Sequence, residues 1–115
     1  LIDDSATYDL PHPSGVIFKL RYWTFGMQEE VDKRCVVQDG KGGVSYDVSL
    51  ERQIKIQRTI DNWSGVKIPD GNGGFQEAPC TQENKNRLPV GIVFWLVKNI
   101  DEMAGIKMPE PEKKN

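Results

Sequence analysis

The chain has 115 residues, with 17 acidic against 15 basic side chains, a net charge of -2, 37% hydrophobic and 28% charged residues. This length supports one domain with its own core, not a core plus a separate catalytic domain. So even a charge balance carries no global field toward nucleic acid or an anionic membrane, and the longest apolar run, Gly91 to Val97, falls far short of the ~20 residues a membrane-spanning helix needs. The expectation is a soluble domain over residues 1–105 and a flexible C-terminal tail over 106–115, where proline and charge dominate.

In chain order, residues 7–23 read as a β-hairpin. Thr7-Tyr8-Asp9-Leu10 leads into a His12-Pro13-Ser14-Gly15 turn, with proline second and glycine fourth as a type I turn prefers. In Val16 to Trp23 the alternation puts Val16, Phe18, Leu20 and Tyr22 on one face and Ile17, Lys19, Arg21 and Trp23 on the other. Thr24 is an N-cap for a short helix carrying Met27, Val31 and Cys35 at a four-residue spacing, with Glu29 and Glu30 near its positive end and a stop at Asp39-Gly40. Gly40-Lys41-Gly42-Gly43 reads as a mobile linker.

A second helix is predicted from about Asp47 or Ser49 to Trp63, stopped by Gly65. Leu50, Ile54, Ile56, Ile60 and Trp63 share its apolar half, and Glu51, Arg52, Lys55, Arg58 and Asn62 its polar half. Val66-Lys67-Ile68, the reversal Pro69 to Gly74 and Phe75-Gln76 suit a small glycine-rich ribbon. Thr81 caps a short helix with Glu83 in its first turn. Pro89 breaks that helix and opens a third main helix to Ala104, because proline lacks the amide that a helix interior needs but is tolerated at a helix start. Its core face would be Val90, Val93, Val97, Ile100 and Ala104, and its solvent face Gly91, Lys98, Asn99 and Glu102, with Trp95 among them. Ile92 to Val97 also suits a buried strand, but continuation through Lys98, Ile100 and Met103 favours helix. The fold class is therefore α+β: an N-terminal β-hairpin followed by three main α-helices, with the ribbon between the second and third.

Catalytic and ligand-binding patterns are hard to place on these elements. His12, the single histidine, sits beside prolines without cysteine or carboxylate at ligand spacing, so it reads as a turn residue. Asp70-Gly71-Asn72-Gly73-Gly74 fails as a calcium loop, because the required glycine is Phe75 and the bidentate glutamate is Thr81. Gly40 to Gly43 lacks the remainder of a phosphate-binding loop. Glu29-Glu30 and Asp101-Glu102 fall on helical turns where solvated charge is the ordinary explanation. Cys35 and Cys80 would pair only if the fold joined them, and two free thiols is the favoured reading. Asn62-Trp63-Ser64 matches a glycosylation acceptor only formally. Lys19, Arg21 and Trp23 are too few for a single-strand nucleic-acid patch. The reading is no enzyme, no metal, no cofactor, no nucleic acid and no membrane.

What stands out is aromatic. Trp23, Phe25, Trp63, Phe75 and Trp95 are numerous for the polar sides of a small domain, and aromatic anchors dominate protein-binding hot spots. These five are the candidate partner-binding residues, although Trp63 suits the edge of a core as well. The order of elements, with Ile60-Asp61-Asn62-Trp63-Ser64-Gly65-Val66, Asp70-Gly71, Thr81-Gln82-Glu83-Asn84 and a terminal apolar helix, resembles the tail assembly chaperones of long-tailed bacteriophages over about residues 7–104. The resemblance implies a protein of the host cytoplasm that coats the tape measure protein, recruits tail tube subunits, is free to self-associate, and is absent from the mature virion. It also implies a longer frameshifted form, for which Lys113-Lys114 would supply the adenine-rich slip site. The alternative is a virion structural part: a tail terminator, a connector or a capsid accessory protein.

Overall fold

The computed structural model describes residue 3 and residues 5–105, and the expected tail at 106–115 lies outside the described residues. Strands β1 (Thr7–Pro11) and β2 (Ile17–Arg21) pair antiparallel, with Tyr8 opposite Leu20 and Leu10 opposite Phe18. Their turn is closed by the Gly15 amide on the His12 carbonyl at 2.9 Å and the His12 amide on the Val16 carbonyl at 2.7 Å. Phe18 and Leu20 are fully buried while Ile17 and Lys19 face out, as the alternation requires.

Helix α1 (Phe25–Cys35) begins at Thr24, whose hydroxyl accepts from the Met27 amide at 3.2 Å. It stops at Cys35, short of Asp39-Gly40, because Val36–Gln38 is strand β3 and pairs antiparallel with β4 (Val44–Tyr46). Gly40 to Gly43 is thus the turn of a hairpin and not a linker. Asp39 closes it: its Oδ1 accepts from the amides of Lys41 at 2.8 Å and Gly43 at 2.9 Å, and its own amide donates to the Gly43 carbonyl at 3.1 Å. Those amide bonds hold the Asp39 carboxyl below its ordinary value.

The ribbon of β6 (Lys67–Pro69) and β7 (Phe75–Glu77) repeats this turn. Asp70 Oδ1 accepts from Asn72 at 2.8 Å and Gly74 at 3.2 Å, and the Asp70 amide donates to the Gly74 carbonyl at 3.1 Å. In both turns the second and fourth residues are glycines at positive φ: 75° and 81° at Gly40 and Gly42, 85° and 82° at Gly71 and Gly73. Residues with a Cβ enter that region only with strain. One local sequence, Asp-Gly-x-Gly-Gly, therefore builds the same ribbon tip twice.

Helix α2 (Val48–Thr59) is capped by Asp47, which accepts from the Leu50 amide at 3.0 Å. It ends at Thr59 and not at Trp63. Ile60–Ser64 is strand β5, antiparallel to β2, with Trp63 opposite Phe18 and Asn62 opposite Lys19, so the sheet order is β1-β2-β5. The register then slips, pairing Leu20 with Ile60 and leaving Asp61 as a bulge. The bulge lets Ile60 and Trp63 both face inward and places Asp61 Oδ1 2.5 Å from Arg21 Nη2.

Thr81 caps α3 (Gln82–Lys85) through its hydroxyl, which accepts from the Asn84 amide at 3.2 Å. Pro89 is the N-cap of α4 (Val90–Met103). Leu96 and Ile100 are buried, with Ile92, Val93 and Val97 packed around them, but Val90, expected inside, is 66% exposed. With Phe18, Leu20, Ile56, Ile60, Trp63, Ala78 and Leu88 they form the main core between the inner sheet face and helices α2 and α4. A smaller cluster of Val31, Cys35 and Ile54 lies between α1 and α2.

The helical wheel of α2 fails at Lys55, which was expected outside but is 2% exposed. Asp101, expected on an exposed turn of α4, is buried beside it. Lys55 Nζ donates to Asp101 Oδ1 at 2.7 Å and to Glu51 Oε1 at 2.6 Å. Burial opposes the charged ammonium, but the bonds to Asp101 and Glu51 outweigh it and hold Lys55 above its ordinary value. Removing one partner of such a pair strands a charge in the interior. Lys55→Ala should therefore lower the unfolding free energy by about 3–5 kcal/mol in a urea titration, whereas Lys55→Met combined with Asp101→Leu should recover most of that loss.

Helices α1 and α2 are also clasped by Glu30. Arg58 Nε and Nη2 donate to its two oxygens, each at 2.9 Å, and Arg34 Nη1 adds a bond at 3.0 Å. Hydrogen bonds from Arg58 first and Arg34 second lower the Glu30 pKa from 4.5 to about 2. A carboxyl depressed on folding contributes stability that is full above its unfolded pKa and is lost as pH falls through the folded one. Glu30→Gln should melt lower than the parent near neutral pH, and the gap should close between pH 4.5 and about 2. Added salt should narrow the same gap in thermal denaturation curves.

Candidate functional site

The five aromatic candidates divide sharply by burial. Trp63 is 6% exposed; its Nε1 donates to the Ala78 carbonyl at 2.7 Å, and its ring meets Phe18 nearly edge-on at 6.3 Å between centroids. It is a strand residue of the core and not the end of a helix. Trp95 is half-buried instead of standing among solvent-facing groups. Its ring meets His12 edge-on at 4.6 Å and lies 6.4 Å from Phe18. His12 remains a turn residue, with Nδ1 accepting from the Ser14 amide at 3.0 Å, but it also covers Trp95.

Trp23 is half-buried too. It touches both clusters and donates from Nε1 to Gln28 Oε1 at 3.0 Å. Phe25, the first residue of α1, is 79% exposed, and Phe75, the first residue of β7, is 73% exposed. These two remain freely presented, on separate elements.

Two further apolar surfaces had no counterpart in the sequence reading. On the β3–β4 ribbon Val36, Val37, Val44 and Tyr46 are all exposed, and Val48 continues them at the start of α2. The Tyr46 hydroxyl is raised above its ordinary value, first by burial and then by the neighbouring Glu51 carboxylate. The second surface is a cleft of about 290 Å³ between α2, the α3–α4 connection and the first turns of α4. Ile56, Leu88, Val93 and Phe94 form its apolar lining, and Ser49, Arg52, Gln53, Lys85 and Asn86 its polar lining.

Within the cleft the Arg52 guanidinium lies 5.1 Å from the centre of the Phe94 ring, and its Nη2 is 3.4 Å from the Ser49 hydroxyl. Lys85 Nζ donates to the Gln57 carbonyl at 3.4 Å, and burial holds Lys85 below its ordinary value. The outer face of the sheet has a hollow of about 280 Å³, lined by Asp9, Ile17, Lys19, Asn62, Trp63 and Ser64. Lys19, Arg21 and Trp23 do not act together there, since Arg21 is tied to Asp61 and Trp23 turns inward.

Reactive groups are sparse. Cys35 is buried and Cys80 half-buried, both are free, and burial raises both thiols, which opposes the thiolate a nucleophile requires. Among the described residues no group of three or more His, Cys, Asp or Glu could hold a metal ion, and no helix is long and apolar enough to cross a membrane.

The division between core and surface aromatics is measurable. Phe25→Ser and Phe75→Ser should each change stability by less than about 0.5 kcal/mol in guanidinium titrations. Trp63→Ala should cost about 3–5 kcal/mol in the same assay.

Comparison with protein-family models, with curated proteins and with solved structures found no match to this chain.

Proposed function

We propose that this protein is a non-enzymatic factor of bacteriophage tail morphogenesis, a tail assembly chaperone that acts in the host cytoplasm by holding the tape measure protein and tail tube subunits. The observation that carries the binding part of this reading is the exposure of Phe25 and Phe75, two phenylalanines that contribute little to the fold and are presented to solvent. Aromatic side chains, phenylalanine among them, are enriched in protein interfaces relative to the rest of the surface. The tail-assembly part rests on the resemblance in element order and in the Trp63-Ser64-Gly65-Val66, Asp70-Gly71 and Thr81 to Asn84 segments.

The second reading, a virion structural part such as a tail terminator, connector or capsid accessory protein, is favoured by the β3–β4 ribbon. A two-stranded ribbon is marginal in water, and this one leaves Val36, Val37 and Val44 uncovered, as a subunit does when its neighbours complete its packing.

Co-expression with a fragment of the tape measure protein should yield a complex that survives gel filtration and that the Phe25→Ser, Phe75→Ser double variant forms about tenfold less tightly. Failure to co-purify with any tail component would overturn the proposal. Detection of the chain in purified particles would select the structural alternative over the chaperone.

A further inference from the structure

We infer that the cleft between α2 and the start of α4 is a docking groove for a protein segment in which carboxylates flank one or two large apolar side chains. The inference gives the binding reading above a location and a partner chemistry, and it rests on that reading.

Charge is the first argument. Among the described residues the cleft is lined by Arg52 and Lys85 and by no aspartate or glutamate. Among the described residues neither Arg52 nor Lys85 forms an ion pair, as is also true of Lys19, Lys33, Lys41, Lys67, Arg87 and Lys98, so what sets the cleft apart is that two such cations share an apolar lining. Lys85 is partly buried, with its ammonium bonded to the Gln57 carbonyl and near Asp61, so it adds to the positive charge of this wall while Arg52 is the cation placed over the apolar lining. The first turn of α4 adds positive potential. Pro89 makes no side-chain cap bond and no acidic residue follows it, so the positive end of the α4 dipole is unopposed.

Apolar lining is the second argument. Leu88, Val93 and Phe94 line the same cleft as the two cations, and the Arg52 guanidinium lies over the Phe94 ring. Phe94 is 52% exposed, and Val90 at the mouth is more so. The apolar surface therefore continues past the cleft, beyond what a small ion or metabolite would cover. A chain segment reaches both the enclosed lining and the open rim.

The test is selection of a random linear-peptide library on the full chain, followed by binding titrations of the enriched peptides. Enriched sequences should carry Asp or Glu next to Leu, Ile, Phe or Met. Arg52→Glu and Lys85→Glu should each weaken them about tenfold, while the exposed control Lys19→Glu should leave them unchanged. Circular dichroism melts show whether each variant is folded, and Phe94→Ala offers a charge-neutral variant of the same groove. In the parent protein, amide shifts on peptide addition should centre on Leu88, Val93 and Phe94.

The inference is overturned by recovery of no peptide, by enrichment of sequences without carboxylates, or by binding that is indifferent to Arg52→Glu and Lys85→Glu. A sedimenting dimer of the parent that these substitutions dissolve would overturn it as well, by making a second copy the occupant. The two proposals fail separately. If the tape measure fragment is captured but acidic peptides are not, the tail reading stands and the groove falls. If the peptides bind and no tail component does, the reverse holds.

Discussion

The pairing of β5 with β2 is the constraint on which the rest of the molecule depends. It joins segments far apart in the chain, sets Trp63 opposite Phe18, and through the bulge at Asp61 turns Ile60 to the same side. Those side chains give α2 and α4 an apolar face to cover. Gly65 then lets the chain leave the sheet: its φ is +88°, and a Cβ there would stand 3.4 Å from the Val16 backbone, so the departure passes close beside the first hairpin. Loss of this pairing would expose Trp63 and leave the Ala78 carbonyl without the indole that serves it.

Charge is used differently on the two sides of α2. Toward α4, Lys55 is enclosed and satisfied by Asp101 and Glu51, an arrangement that adds little net stability over apolar packing but penalises any mispacked alternative. Toward α1, Glu30 joins Arg34 and Arg58 at the surface, where water and salt weaken the attraction and the bidentate geometry carries most of its value. Arg52, on the remaining side of α2, forms no ion pair among the described residues and lies over the Phe94 ring. The helix thus holds the fold with some of its cations and leaves another facing an apolar cleft.

Much of the fold was legible because it is local. The hairpin alternation, the Thr24 and Thr81 caps, the start of the second helix near Asp47, the glycine-rich ribbon and the helix opened by Pro89 each follow from a few adjacent residues. The α+β class follows from their order. The misreadings have physical causes. Ile60 and Trp63 stand three apart, which imitates helical spacing, yet a bulged strand places them on one face equally well. Ile54 and Ile56 lie about 200° apart on a helix, and tertiary packing chose the arc through Lys55 and Thr59, where the Thr59 hydroxyl donates to the Lys55 carbonyl at 2.5 Å. The core stripe of α4 is rotated toward Ile92, Leu96 and Ile100, which draws Trp95 inward and Val90 outward. The β3–β4 ribbon has a local signal too, since Asp39-Gly40-Lys41-Gly42-Gly43 has the pattern of Asp70-Gly71-Asn72-Gly73-Gly74. The cleft had no local signal, because its two walls come from residues 49–56 and 85–94.

This redistribution of aromatic groups changes where binding is to be sought. Trp63 and Trp95 serve the interior, so binding is to be sought instead at Phe25, Phe75, the β3–β4 ribbon and the cleft at Phe94. The inward placement of Trp63 follows from β5 being a strand, and solution NMR of the backbone tests that directly. Chemical shifts across Ile60–Ser64 should be extended, with cross-strand Overhauser contacts between Phe18 and Trp63 and a slowly exchanging Trp63 indole proton. Helical shifts continuing through Trp63, with rapid exchange at its indole, would contradict the fold and every surface assigned from it.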